Sequence, residues 1–264
     1  MTRSGMRAAV LLVPVPVLWL LPAPAQPDDA VLSEVLDPSV IDHVPDLPRS
    51  AILRFVANDL EDWHYTRTRE SEEGSLTDRH DPDLPGEAHW QLVSVDGRAP
   101  TEDEVRDYEK DRADHSDREQ RASRAEMLQV LAPGSVELLD ASGEVHRYAY
   151  RLRSPDGKRE RVYAALEGEL EVVDAAGGPW VREVRLWNTD ILRPILGVRI
   201  DTADLRFEFA VQDGWVLPVA VEASWDGEFL MLKELGTDLR FTLSDFRRVD
   251  TPVADDEGED LTLP

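Results

Sequence analysis

Residues 204–249 constrain this chain more than any other stretch. Over 204–211 and 237–244 the side chains alternate between apolar and polar, the period of two of a half-buried β-strand, and the residues between them are rich in β-formers. The pattern predicts four antiparallel strands at 204–211, 215–225, 228–235 and 237–244. In the first, Leu205, Phe207, Phe209 and Val211 share one face against Arg206 and Glu208. The second carries Trp215, Leu217, Val219, Val221 and Trp225, and the last sets Leu239, Phe241 and Leu243 against Asp238, Arg240, Thr242 and Ser244. Asp213-Gly214 and Asp226-Gly227 are read as hairpin turns, because glycine supplies the positive φ such turns need. A sheet of this kind has one apolar face, and something must cover it.

The earlier residues provide the candidates for that cover. Ile52, Phe55, Val56 and Leu60 recur at helical spacing behind Pro48, which predicts an amphipathic helix over 48–62. Strands are expected at 63–70, 76–80 and 89–95. Thr101 and Glu104 then form a capping box that opens a second helix, running to about Arg121. That helix is almost wholly polar, and residues 110–125 are expected to be the least ordered part of the domain. Further strands are predicted at 128–131, 136–140, 144–153, 161–167, 170–173 and 180–187, with a break at Gly168. Residues 189–198 are an irregular apolar insertion that reads as a short helix over the sheet.

The fold expected is mainly β, in the α+β class. It is a large curled antiparallel sheet of 10–11 strands forming a half-open barrel, with one or two early helices across its concave side. One domain spans 48–249, preceded by a linker at 26–47 and followed by a disordered acidic tail at 250–264.

Residues 1–25 have the parts of a secretory leader: basic Arg3 and Arg7, an apolar run over 8–21, and small residues at 23–25. The expected location is outside the cytoplasm, in a bacterial periplasm, with no stable membrane span once the leader is cleaved. The chain has no cysteine, so its stability must come from its core. A net charge of −25 argues against nucleic acid and anionic membrane faces as partners.

No motif for chemistry stands out. There is no nucleophile elbow, phosphate loop or dinucleotide fingerprint. His80, Asp81, Asp83 and His89 lie close in sequence, with His64 on a neighbouring strand, but their spacing fits no standard metal pattern. Pro82, Pro85 and Gly86 make this segment a turn. The reading is therefore a non-enzyme with no cofactor and no metal.

Two longer stretches carry a family resemblance. DGWVLPVAVEASWDGEFLMLKEL (213–235), followed by a strand ending in SDFRRV (244–249), is similar to the closing strand pairs of the LolA/LolB-like periplasmic lipoprotein carriers. WQLVSVDGRAPTEDEVRDY (90–108) resembles a stretch found in uncharacterised secreted bacterial proteins. The resemblance implies a half-open barrel closed by helices around a cavity for acyl chains. Such carriers hold their lid closed with an arginine. Arg79 lies in the corresponding region, but in a context (DRHDPDLP) that does not carry the role over.

The function expected from this is non-enzymatic binding of a lipid, acylated protein or other apolar ligand in the sheet concavity. Trp90, Leu92, Tyr148, Tyr150, Phe207, Phe209, Leu217, Val219 and Phe241 are the cavity candidates. Ile52, Phe55, Val56, Ile191, Leu192, Ile195 and Leu196 are the lid candidates. The alternative is a partner-binding or envelope-sensing module with a filled core, docking an envelope protein through its acidic outer face and the 101–121 helix. A second alternative is a metal-binding or hydrolytic protein using His80, Asp81 and His89.

Overall fold

The computed structural model describes residues 42–56, 60, 62–119, 131–154, 160–194, 196–229 and 233–249. The expected leader, most of the linker, the acidic tail and residues 120–130 lie outside these. Ten strands form one antiparallel sheet in the order β3-β2-β1-β10-β9-β8-β7-β6-β5-β4. They are β1 (Trp63–Ser71), β2 (Gly74–His80), β3 (Trp90–Val95), β4 (Glu137–Ser142), β5 (Val145–Arg151), β6 (Leu166–Val173), β7 (Trp180–Asn188), β8 (Val198–Gln212), β9 (Trp215–Phe229) and β10 (Lys233–Arg248). The sheet is not closed into a barrel: β3 and β4 are its two edges. Strands from the two ends of the domain meet inside it, where β1 pairs with β10 from Trp63↔Arg248 to Ser71↔Leu239.

Among the described residues, three α-helical segments accompany the sheet: α1 (Asp46–Val56), α2 (Glu102–Glu119) and the single turn α3 (Glu160–Tyr163). Pro48 sits in the first turn of α1, where its missing N–H is no loss. The capping box of α2 forms as expected. Glu104 Oε2 accepts from the Thr101 N–H at 2.8 Å, and the Glu104 N–H donates to Thr101 Oγ1 at 3.3 Å. Arg98 adds two further bonds to the same carboxylate, at 2.8 and 2.5 Å. Bonds from Arg98 and the Thr101 backbone hold the Glu104 carboxyl down at about 2.

Several expectations are corrected. The first helix begins two residues before Pro48 and ends at Val56, and Val44, assigned to the linker, is buried in the core. Asp226-Gly227 is not a turn. Both residues lie inside β9, where Gly227 pairs with Ile200 of β8 and Leu235 of β10. β8 bulges between Ile200 and Thr202, and a Cβ on Gly227 would sit 2.2 Å from the Arg199 carbonyl oxygen. The glycine permits this close backbone approach. At Asp213-Gly214 the hairpin does form, with φ of 52° and 84°.

Of the strand expected at 161–167, only Leu166 and Glu167 are extended. Val162 and Tyr163 are buried by the helical turn α3, and β6 starts at Leu166. β6 then runs through Gly168 without a break, because the ring of Tyr150 on β5 lies across that glycine. His89 belongs to a 3₁₀ turn (Gly86–His89) rather than to β3. The 189–198 insertion is not a helix: Leu192 forms a β-bridge with Ile200, and Leu196 is 99% exposed. Of the expected strand 128–131, only Leu131 is described, in a bridge to Leu152.

A Cβ on Gly168 would lie 2.2 Å from Tyr150 Cζ. Gly168→Ala is therefore expected to destabilise the fold by about 1–3 kcal/mol through overpacking, read as a lower urea midpoint at unchanged slope. Combining it with Tyr150→Leu should recover part of that loss.

Candidate functional site

The apolar face of the sheet is covered by α1. The helix lies against β6, β7 and β9. Its Ala51, Ile52 and Phe55 are buried in a core with Val172, Val181, Leu205, Phe209 and Val216. Phe55 meets Phe209 edge to face, with ring centroids 4.8 Å apart. The opposite flank of α1 is held by Arg54. Its Nη1 donates to the carbonyls of Gly177 at 3.1 Å and Gly178 at 2.9 Å, and its Nη2 donates to that of Gly214 at 2.8 Å. One guanidinium thus ties α1 to two loops, β6–β7 and β8–β9. Charged donors on neutral carbonyls are among the stronger protein hydrogen bonds.

The cavity candidates fall into separate packing groups. Tyr148, Tyr150 and Phe209 are buried in the core beneath α1, and Phe207 packs against it. Burial alone raises the Tyr150 hydroxyl pKa well above its usual value. Trp90 and Leu217 belong to a second core with Trp63 and Tyr65, to which Tyr108 of α2 contributes. Val219 is the extra residue of a bulge, since Phe209 pairs with Pro218 and Glu208 with Ala220. Leu92 and Phe241 are half-buried, and the Arg67 guanidinium lies 5.8 Å from the Phe241 ring.

Among the lid candidates, Ile52, Phe55 and Leu192 are buried and Ile191 is half-buried. Leu196 points to solvent and covers nothing. The side chain of Val56 and all of Ile195 lie outside the described residues. Arg79 is exposed on β2 and has no part in holding α1.

The second core contains a buried charge. Asp78 is fully buried, and it accepts from Arg67 Nε at 3.0 Å, Arg67 Nη2 at 2.6 Å and the Tyr108 hydroxyl at 2.9 Å. Burial opposes the Arg67 charge, but Asp78 more than offsets it and the pKa rises. Burial, with Asp78 adding to it, pushes the Tyr108 hydroxyl up as well. The guanidiniums of Arg67 and Arg112 each lie 4.3 Å from the Trp90 ring centroid. This group docks α2 on β1–β3, although the helix has little apolar surface of its own.

His80 and His89 are in edge-to-face ring contact, centroids 5.7 Å apart, but Asp81 does not join them. His80 is buried against Tyr65 and Trp90, and a ring nitrogen contacts the Trp63 carbonyl at 2.8 Å. Burial lowers its pKa, against the pull of that carbonyl. Asp81 faces His64 instead.

The other face of the sheet is a charged trough of about 980 Å³. Its lining includes eight carboxylates and four guanidiniums. The register places Glu70, Arg240, Glu222, Arg206, Arg185 and Glu169 in one row across six strands. Within the trough, Arg206 pairs with Glu183 at 2.6 Å and Arg185 with Asp204 at 2.5 Å. Such exposed pairs contribute about 0–1 kcal/mol each.

No protein-family model, curated protein or solved structure matches the chain. The carrier resemblance accordingly rests on the sequence stretches that carry it.

Removing Asp78 strands a desolvated guanidinium. Asp78→Ala is expected to destabilise the protein by about 3 kcal/mol or more. Arg67→Met with Asp78→Leu should recover much of that, because an apolar pair leaves no charge unmatched. Urea unfolding of Asp78→Ala and of the double variant measures it.

Proposed function

We propose that the protein is a non-enzymatic carrier or binder of an apolar ligand, acting in the cell envelope, with α1 as the lid. The observation that supports this is the way α1 is held. Its apolar stripe lies on the aromatic centre of the sheet, and its attachment at Arg54 is to three loop carbonyls. Three hydrogen bonds to one side chain can be released together, and the strands beneath keep their own ladders when α1 lifts. Lifting it would bare Phe209, Leu205, Val181 and Val216 as one surface. An acyl chain laid there gains about 0.8 kcal/mol per CH₂ buried, which offsets the contacts that α1 gives up.

In this account the ligand space belongs to the open state. The closed state fills it with Phe55 and Ile52. Apparent affinity is then the intrinsic affinity reduced by the open fraction. Weakening the latch should tighten binding.

A second reading has its own support. With the apolar face filled, the charged trough is the large concavity of the closed protein, and its carboxylates outnumber its guanidiniums two to one. A partner-binding module would use that surface for a cationic segment of an envelope protein.

Titration with N-phenyl-1-naphthylamine, a neutral apolar fluorophore, separates the two. The carrier reading expects one saturable site, an Arg54→Ala variant that binds about tenfold or more tightly (at least 1.4 kcal/mol of latch energy released), and a Phe209→Ala variant, checked for folding by circular dichroism, that binds more weakly than the parent protein. No saturable binding by either the parent protein or Arg54→Ala would overturn it and leave the trough reading.

A further inference from the structure

His64 on β1 stands between two carboxylates of the β2–β3 loop. Its Nδ1 lies 3.3 Å from Asp81 Oδ1, and its Nε2 lies 3.2 Å from Asp83 Oδ2. The three residues keep one potential ligand atom each within 4.8 Å of one another. Two donor atoms held about 2.0–2.2 Å from one tetrahedral metal are roughly 3.3 Å apart, so the imidazole–carboxylate spacing here is already that of two ligands on a common ion. From this geometry we infer that His64, Asp81 and Asp83 form a binding site for a late first-row divalent cation of the zinc class.

The two sides of the ring have different roles. A single ion takes one nitrogen of an imidazole. The Asp81 side chain is 28% exposed, and its Oδ1 also accepts the Asp83 backbone N–H at 3.2 Å. It is the partner that orients the ring through Nδ1–H, the carboxylate–histidine–metal arrangement that fixes tautomer and raises ligand basicity. The Asp83 side chain is 64% exposed, so an ion on Nε2 and Asp83 has open positions for water or an exogenous ligand. The imidazole is only 12% exposed and cannot swing away. Its backbone is fixed by β1–β10 pairing (His64↔Arg247). The loop carrying both carboxylates is fixed by the Asp81 N–H to His89 carbonyl bond of 2.7 Å and the Leu84 N–H to Asp81 carbonyl bond of 3.2 Å. An imidazole nitrogen with carboxylate oxygen favours Zn²⁺, Ni²⁺ or Co²⁺ over Mg²⁺ and Ca²⁺, which take oxygen donors. A bound ion would clip the β2–β3 loop to β1, independently of α1 and of any apolar ligand.

An acidic chain attracts cations generally, so the test must separate a site from a surface. Isothermal titration of the full-length protein with ZnCl₂ in excess MgCl₂, together with Co²⁺ absorption spectra, does this. The site predicts one saturable equivalent, d–d bands from a nitrogen–oxygen ligand set, and at least tenfold weaker binding in both His64→Ala and Asp83→Asn. Asp83 is exposed, so its substitution leaves the core intact and a loss there cannot be ascribed to misfolding. The inference is overturned if no zinc binds above the magnesium background, or if either variant binds zinc as the parent protein does.

Discussion

The contact of α1 with the sheet, centred on Phe55 against Phe209, is the interaction that buries the centre of the sheet's apolar face. Ten antiparallel strands that alternate in polarity produce a broad apolar surface, and exposed apolar surface of that extent is unfavourable at about 25 cal/mol per Å². An eleven-residue helix covers its centre. The bulges at Ile200/Thr202 and Glu208/Phe209 bend the long strands β8 and β9 around that contact. Tyr150 fills the space over Gly168, and α3 and Leu192 close the margins. The charged residues at the alternate positions face the other way and make the trough.

The two ends of the sheet are stabilised differently. Beneath α1 the contacts are apolar, and Arg54 adds directional bonds at the helix flank. At β1–β3 the covering helix α2 is polar, so the apolar surface it offers is little more than Tyr108. A buried ion pair takes over there: Arg67 stacks near Trp90, and Asp78 receives both the guanidinium and the tyrosine hydroxyl. Buried ion pairs are poor sources of net stability but strong specifiers of geometry when fully bonded. This one fixes where α2 lies. The β2–β3 loop, carrying Asp81 and Asp83, is placed against His64 by the same strand pairing.

Much of the architecture was legible because strand alternation is a local property. The strands over 204–211 and 237–244, the Asp213-Gly214 hairpin and the Thr101/Glu104 capping box each need only a few adjacent residues to be recognised, and each is found. Asp226-Gly227 was misread because the same dipeptide serves tight turns and close strand approaches, and only the β8 bulge tells them apart. Val162 and Tyr163 fit a strand as well as a helical turn over so short a run. The functional features are harder to read. Arg54 bonds to backbone carbonyls, which every residue has, so no partner residue marks it. Asp78 does carry a signal in the sequence: it shares the inward phase of β2 with His80, as Arg67 shares that of β1 with Trp63 and Tyr65. The approach of His64 to Asp83 depends on the β1–β2 register and appears only once the sheet is assembled.

The central claim is that α1 is a cover that opens without unfolding the sheet, and native-state hydrogen exchange tests it most directly. The account predicts that amides of Ala51–Val56 exchange through a local opening of lower free energy than those of β6 to β9. Arg54→Ala should lower the free energy of that opening alone. If the α1 amides exchange only with global unfolding, and do so equally in the parent protein and in Arg54→Ala, then α1 is a fixed part of the core and the lid does not exist.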